Sequence, residues 1–203
     1  DLKYHQRRIQ RDFPDQVVFE QVSNPEAVKD ALTTLKDLQI DRWGGEGMMT
    51  PFESEQYVTF HEDVATTLLK EDMLRLFVLR IADEIVAVNY CFRYRDVYYG
   101  YQRAYNPEWK KNSPGKLVVA YGIECAINEG MRELDMLHGE KGDKGQWDEE
   151  MRFDARIRFS QGIKGTAALL GATLFDDTVA ASRKHLPDSV RQQAGRLVPK
   201  MQW

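Results

Sequence analysis

Ser113, Pro114 and Gly115 have the chemistry of a helix start, and three lysines, Lys110, Lys111 and Lys116, surround them. Proline's fixed φ and missing N–H suit the first helical position, and a serine before it can cap the end. The N–H groups left over there, Gly115, Lys116 and Leu117 among them, point with the positive end of the helix dipole toward an anion such as a phosphate. The same triplet also serves simply to begin a helix. Gly122 falls inside that helix, where glycine costs about 1 kcal/mol relative to alanine. Close packing against a sheet or a ligand would account for it.

Asp135 is the second candidate. It stands among Leu134, Met136 and Leu137, and aspartate is disfavoured within strands. At the carboxyl end of a parallel strand, where α/β sites form, it could move a proton. Paired with Lys144 it would instead have a lowered pKa, be a poor base and pin a loop. Cys91 and Cys125 lack metal-ligand spacing and lack a sequence neighbour that would activate a thiol. Neither zinc, a disulfide framework nor a thiol nucleophile is expected, and a reducing, cytoplasmic setting follows.

The elements that must position these groups are written in the hydrophobic periodicity. Residues 1–13 read as a short basic helix and Val17, Val18 and Phe19 as a first strand. Asn24 and Pro25 open a helix whose stripe of Val28, Leu32, Leu35 and Leu38 runs to about Arg42. The Gly-rich stretch 43–51 reads as a loop, and a second helix over about 54–70 carries His61 near its apolar face. Segments 74–81, 85–94 and 97–103, parted by Asp83-Glu84 and Arg95-Asp96, form an antiparallel meander. The helix from Ser113 to Gly130 and a strand over 134–137 then make a βαβ unit with the last meander strand. The loop 138–150 is acidic and long for a simple connection, so it is a candidate cover for a cationic acceptor with Trp147 as a wall. Residues 153–159 read as a returning strand, and a helix start at Pro187 lies in an Ala-, Leu- and Arg-rich tail.

The 203 residues carry a net charge of −4, which argues against a nucleic-acid coat. No apolar run approaches the roughly 20 residues of a membrane helix. The expected class is mixed α/β.

An antiparallel meander, a capped helix and a parallel strand in this order resemble the GNAT acyltransferases. The segments AYNPEWKKNSPGKLV and DMLHGEKGDKGQW resemble the CelD/Fem-like branch. That branch's pattern falls on Asp135, Leu137, Gly139, Lys144 and Trp147, and the likeness runs from about Leu38 to Phe159, including Arg42-Trp43 and Phe60-His61. Asp143 stands where the branch usually has tyrosine, and the widely shared Gly-rich phosphate loop is absent. The resemblance implies an N-acyltransferase moving an acyl group from acyl-CoA, with acetyl-CoA the first choice, to an amine of an amino-sugar or a polysaccharide or cell-envelope precursor, with no metal. It implies donor contacts at Ser113, Gly115, Lys116 and Leu117, and acceptor contacts at Arg42, Trp43, Gly139, Lys144 and Trp147. Transfer needs a deprotonated amine and a proton for the leaving thiolate. Asp135, His138, Glu140, His61, Tyr101 and Tyr105 are the candidates; His61 fits a hydrogen-bonded core histidine equally well, and Tyr101 a packed strand residue. The expected layout is a junction over 1–16 from an upstream GNAT-like half, an acyltransferase domain over 17–160, and a helical extension over 161–203. A homodimer is the other arrangement considered. An aminoacyl-tRNA-dependent Fem-type ligase and a non-catalytic half are the alternatives; the former carries a coiled-coil arm, and no sustained heptad run is present.

Overall fold

The computed structural model describes residues 2–45, 50–137, 147, 159–167, 170–172 and 174. The chain divides into one unit, Asp1–Gly139, and a second, Glu140–Trp203. In the first, helix α1 (Leu2–Asp12) leads to strand β1 (Val17–Val22), followed by helices α2 (Pro25–Gly45) and α3 (Glu55–Lys70). Strands β2 (Leu74–Ile81), β3 (Glu84–Tyr94) and β4 (Val97–Tyr105), helix α4 (Pro114–Asn128) and strand β5 (Glu133–Asp135) complete it. The five strands lie in sequence order in one sheet. The first four are antiparallel, and β5 runs parallel to β4, as a strand reached through a crossover helix must.

Both faces of the sheet are covered, so β2 is buried at nearly every position and apolar at all but Arg75 and Arg80. Leu76 and Val78 pack with Leu35 of α2 and Ala65 of α3 in one core cluster. Phe77 and Leu79 face the other way, into a cluster with Ile9 of α1 and Leu117 and Val118 of α4. This alternation is the period of 2 that a strand imposes. Gly122 lets α4 sit close to the sheet: a Cβ there would lie 3.1 Å from the Asn89 amide and 3.2 Å from the Phe77 ring.

Pairing between β3 and β4 contains one irregularity that matters for the site. Tyr90 faces Gln102 and Cys91 faces Gly100, so Tyr101 is an extra residue in β4. A bulge of this kind re-aims its side chain and sharpens the local twist.

Several expected boundaries shift. Trp43 lies on the last turn of α2, not in a loop, because the helix continues to Gly45 and the i, i+4 bond from Trp43 Nε1 to Gln39 Oε1 (2.8 Å) holds that turn. The last strand is Glu133–Asp135, starting one residue before the expected 134–137 and ending two residues before it, since Leu137 takes a positive φ of 54°. Ser113 precedes α4 as expected, but its side chain makes no capping bond. It adopts the left-handed conformation (φ 54°) because it also terminates the 3-10 turn Pro107–Asn112, and a side-chain cap needs an extended backbone. In the second unit the described residues between 162 and 174 are helical, and Phe159 is exposed and not in a strand. The expected strand residues 153–158 and the tail from Pro187 lie outside the described residues.

Candidate active site

β5 pairs with β4 only at Val97, Tyr98 and Tyr99. From Gly100 to Tyr105, β4 continues with no strand on that side among the described residues. A bare strand edge normally seeks partners. Here one carbonyl, that of Arg103, accepts a bond from Gln39 Nε2 of α2 at 3.0 Å. Gln39 is 5% exposed, and the same nitrogen donates to Gln102 Oε1 at 3.0 Å.

The bulged Tyr101 brings its hydroxyl 2.8 Å from the Tyr57 hydroxyl and 3.2 Å from His61 Nε2, both on α3. Tyr57 and His61 are four residues apart on one helix, so they share a face. Around them, Phe52, Phe60 and Tyr90 set their rings against His61, and Phe92 packs on Tyr101. Burial lowers the His61 pKa, so the imidazole is neutral at pH 7. Burial also raises the Tyr57 hydroxyl, with the bond to Tyr101 adding to it. Nδ1 of His61 and the Tyr90 hydroxyl are buried and meet no partner among the described residues. A neutral imidazole bonded to a half-buried phenol can accept a proton through it. The cavity of about 50 Å³ that Leu32, Thr33, Lys36 and Phe52 form with Val58, His61 and Glu62 has room for a few water molecules.

The start of α4 offers less to an anion than its sequence suggests. The Lys116 and Leu117 N–H groups both donate to the Ser113 carbonyl, at 3.0 and 3.2 Å. Proline has no N–H, so of these groups Gly115 alone keeps a donor without a partner among the described residues. Its Cα side is covered: a Cβ there would meet the Tyr105 ring at 2.9 Å. Tyr105 is therefore a packing partner of Gly115, and it does not reach the His61 cluster in any described contact.

Asp135 ends β5 and accepts the Leu137 N–H at 2.7 Å, a local turn bond that orients its carboxylate toward its own backbone. Arg42 is exposed and stacks over Trp43, 5.3 Å from the ring centre. His138, Gly139, Glu140 and Lys144 lie outside the described residues, so the Asp135–Lys144 pair is outside them as well. Trp147 is half-buried and belongs to the second unit. Burial pushes the Cys91 thiol up to about 12 and also raises Cys125. Gln39, Gln102 and Tyr57 were not singled out by the sequence. Gln39 carried a signal, being a polar residue one helical turn from Leu35 on a buried face.

Residues 1–145 match the family model of the acetyltransferase (GNAT) domain, most of the 203-residue chain. The chain belongs to the GNAT acetyltransferase family. It is an enzyme of that kind, and its sheet, with the β4–β5 split, is the GNAT fold. Among solved structures, a predicted acetyltransferase from Clostridium acetobutylicum with acetyl-CoA matches with a TM-score of 0.54 at 10% identity, over 70% of this chain and 96% of that one. The aminoglycoside N-acetyltransferase AAC(6′)-Iy, bound to a CoA-linked bisubstrate analogue, matches with a TM-score of 0.50 at 14% identity, over 71% of this chain and all (100%) of that one. At such identities the likeness is one of fold. No curated protein matches this GNAT domain in sequence. Among its described residues no helix is long and apolar enough to cross a membrane, and no three His, Cys, Asp or Glu side chains cluster as metal ligands.

Proposed function

We propose that this GNAT enzyme acetylates an amine of an amino-sugar or of a polysaccharide or cell-envelope precursor, using acetyl-CoA in the cytoplasm, as a member of the CelD/Fem-like branch. The observation that carries the reading is the Tyr101–His61 pair on β4, at the point beyond Tyr99 where β5 no longer accompanies β4 among the described residues. An extended donor arm can lie along such an edge as an added strand, bonding to backbone groups. The free Gly115 N–H and Lys116 stand beyond the end of that edge, on α4, and would meet the donor's phosphates. The residues present therefore fit the donor. The bound donor supplies an activated acyl carbon. The chain supplies the edge that aligns the donor and a neutral imidazole that takes a proton from the acceptor. The acidic 138–150 segment and the Asp135, Leu137, Gly139, Lys144 and Trp147 pattern support an amine acceptor of the branch's kind.

Calorimetric titration of the protein with coenzyme A, followed by release of free thiol from acetyl-CoA with a panel of amino-sugars, tests the reading. Coenzyme A should bind, and Lys116→Glu should weaken it at least about tenfold, as loss of a phosphate contact with charge reversal does. Ser113→Ala should leave affinity unchanged because that side chain caps nothing. A folded protein that binds no coenzyme A overturns the proposal.

A further inference from the structure

The described residues 162–167, 170–172 and 174 of the second unit are helical. Their three large apolar side chains all stand in solvent: Ile163 is 91% exposed, Leu170 60% and Leu174 65%. With Ala167, also exposed, they are spaced four, three and four residues apart, the period of one helix face. Gly165 and Ala172 fall on the opposite side of that period and Lys164 on its flank. Thr166, beside the stripe, spends its hydroxyl on the Gly162 carbonyl at 3.1 Å and on the Ser160 hydroxyl at 3.2 Å, so it asks nothing of a partner. Large apolar side chains gathered on one exposed face mark an interaction surface.

The charge around this face has one sign. Between residues 155 and 175 the bases are Arg156, Arg158 and Lys164, and there is no acid. From 176 to the last residue, five bases stand against Asp176, Asp177 and Asp188. Residues 155–203 thus total +5 (8 − 3), while residues 1–154 total −9 (−4 − 5).

We propose that the face of Ile163, Ala167, Leu170 and Leu174 lies on an anionic lipid surface and holds the enzyme there by its second unit. Aliphatic side chains on such a helix sink into the boundary between headgroups and acyl chains, and bases beside them meet the anionic headgroups. The Lys164 stem can run along that boundary with its ammonium among the headgroups. Residues 162–174 make a helix about 20 Å long at 1.5 Å per residue, short of the roughly 30 Å hydrocarbon core, so the helix lies along the surface and does not cross it. A single-stranded nucleic acid would suit the charge, but it is held by aromatic rings on which bases stack, and Ile and Leu have no such face. A second copy of the chain would bring like charge against like, and three aliphatic side chains cover much less than the roughly 800 Å² per partner of a stable interface.

Flotation of the full chain with lipid vesicles tests this without donor or acceptor, so its outcome is independent of acetyl transfer. At 0.1 M salt the protein should float with vesicles of three parts phosphatidylcholine to one part phosphatidylglycerol, and partition at least about tenfold less to phosphatidylcholine alone. Leu170→Ser with Leu174→Ser should weaken partition to the mixed vesicles at least about tenfold, and Lys164→Gln about fivefold. Hydrogen exchange of the wild type with and without the mixed vesicles needs no variant to fold, and protection should appear in the amides of 162–174. The proposal is overturned if the wild type stays with the unbound fraction, if the leucine variant floats as the wild type does, or if the protected amides lie elsewhere. It is equally overturned by a dimer in sedimentation that the leucine variant abolishes, or by a single-stranded oligonucleotide that binds more tightly than the vesicles and displaces them.

Discussion

Arg75 on β2 and Glu129 at the end of α4 form an ion pair 2.8 Å long, although Arg75 is only 3% exposed. Arg75 also donates to the Tyr98 hydroxyl and to the Asp72 carbonyl, and Arg93 adds a second cation 3.3 Å from Glu129. The cluster ties the C-terminal end of the crossover helix to the sheet. Glu129→Gln leaves the buried Arg75 with only the exposed Asp72 carboxylate at 3.3 Å, so it should destabilise the fold by on the order of 2 kcal/mol. Burial alone would raise the Glu129 carboxyl, but hydrogen bonds from Arg75 and Tyr98 and the Arg75 charge outweigh it and hold the pKa below its usual value. The unfolded chain thus binds this proton more readily than the folded one. The stabilisation is complete above the ordinary glutamate range near about pH 4.3 and is lost as pH falls through the folded-state value. Urea unfolding of wild type and Glu129→Gln between pH 3 and 7 checks this; the difference between them should shrink at the acid end.

Gly122→Ala sets two effects against each other. Alanine gains about 1 kcal/mol in helix propensity, while its methyl group meets Phe77 at 3.2 Å and Asn89 at 3.1 Å. Phe77 is fully buried and Asn89 is 5% exposed, so neither has room to retreat, and overpacking costs about 1–3 kcal/mol. A net loss of about 1 kcal/mol is expected in thermal unfolding. A more stable variant would mean that α4 can move off the sheet.

Asp135 is sorted by two substitutions. Asparagine keeps an oxygen for the Leu137 N–H, whereas alanine does not. A turn-forming role predicts that Asp135→Asn retains rate and stability and that Asp135→Ala loses about 1 kcal/mol. A loss of rate in Asp135→Asn with stability unchanged would return the carboxylate to the chemistry.

The sequence by itself determined the order and type of the described elements of the first unit, since hydrophobic period, Asn24-Pro25, Ser113-Pro114 and the Arg95-Asp96 turn are local signals acting over a few residues; the other hairpin turn falls at Ala82-Asp83, one residue before the expected Asp83-Glu84, because both residues take the positive φ of a tight turn and Glu84 already pairs with Ile81. It also marked Gly122 and His61 as positions that needed a reason. The tertiary structure alone decided what the reasons are. A one-residue bulge at Tyr101 shifts which β4 side chains face α3, and such a shift changes the partners of every neighbour without a strong sequence signature. Ser113 shows the converse: its type favours a cap, but the meeting of two helical turns forces a left-handed backbone that its side chain cannot cap. Gln39, Tyr57, His61, Tyr101 and Gln102 come from three elements, α2, α3 and β4. Their convergence depends on packing and register across the core, where a buried polar group is stable only if its partners arrive from elsewhere in the chain.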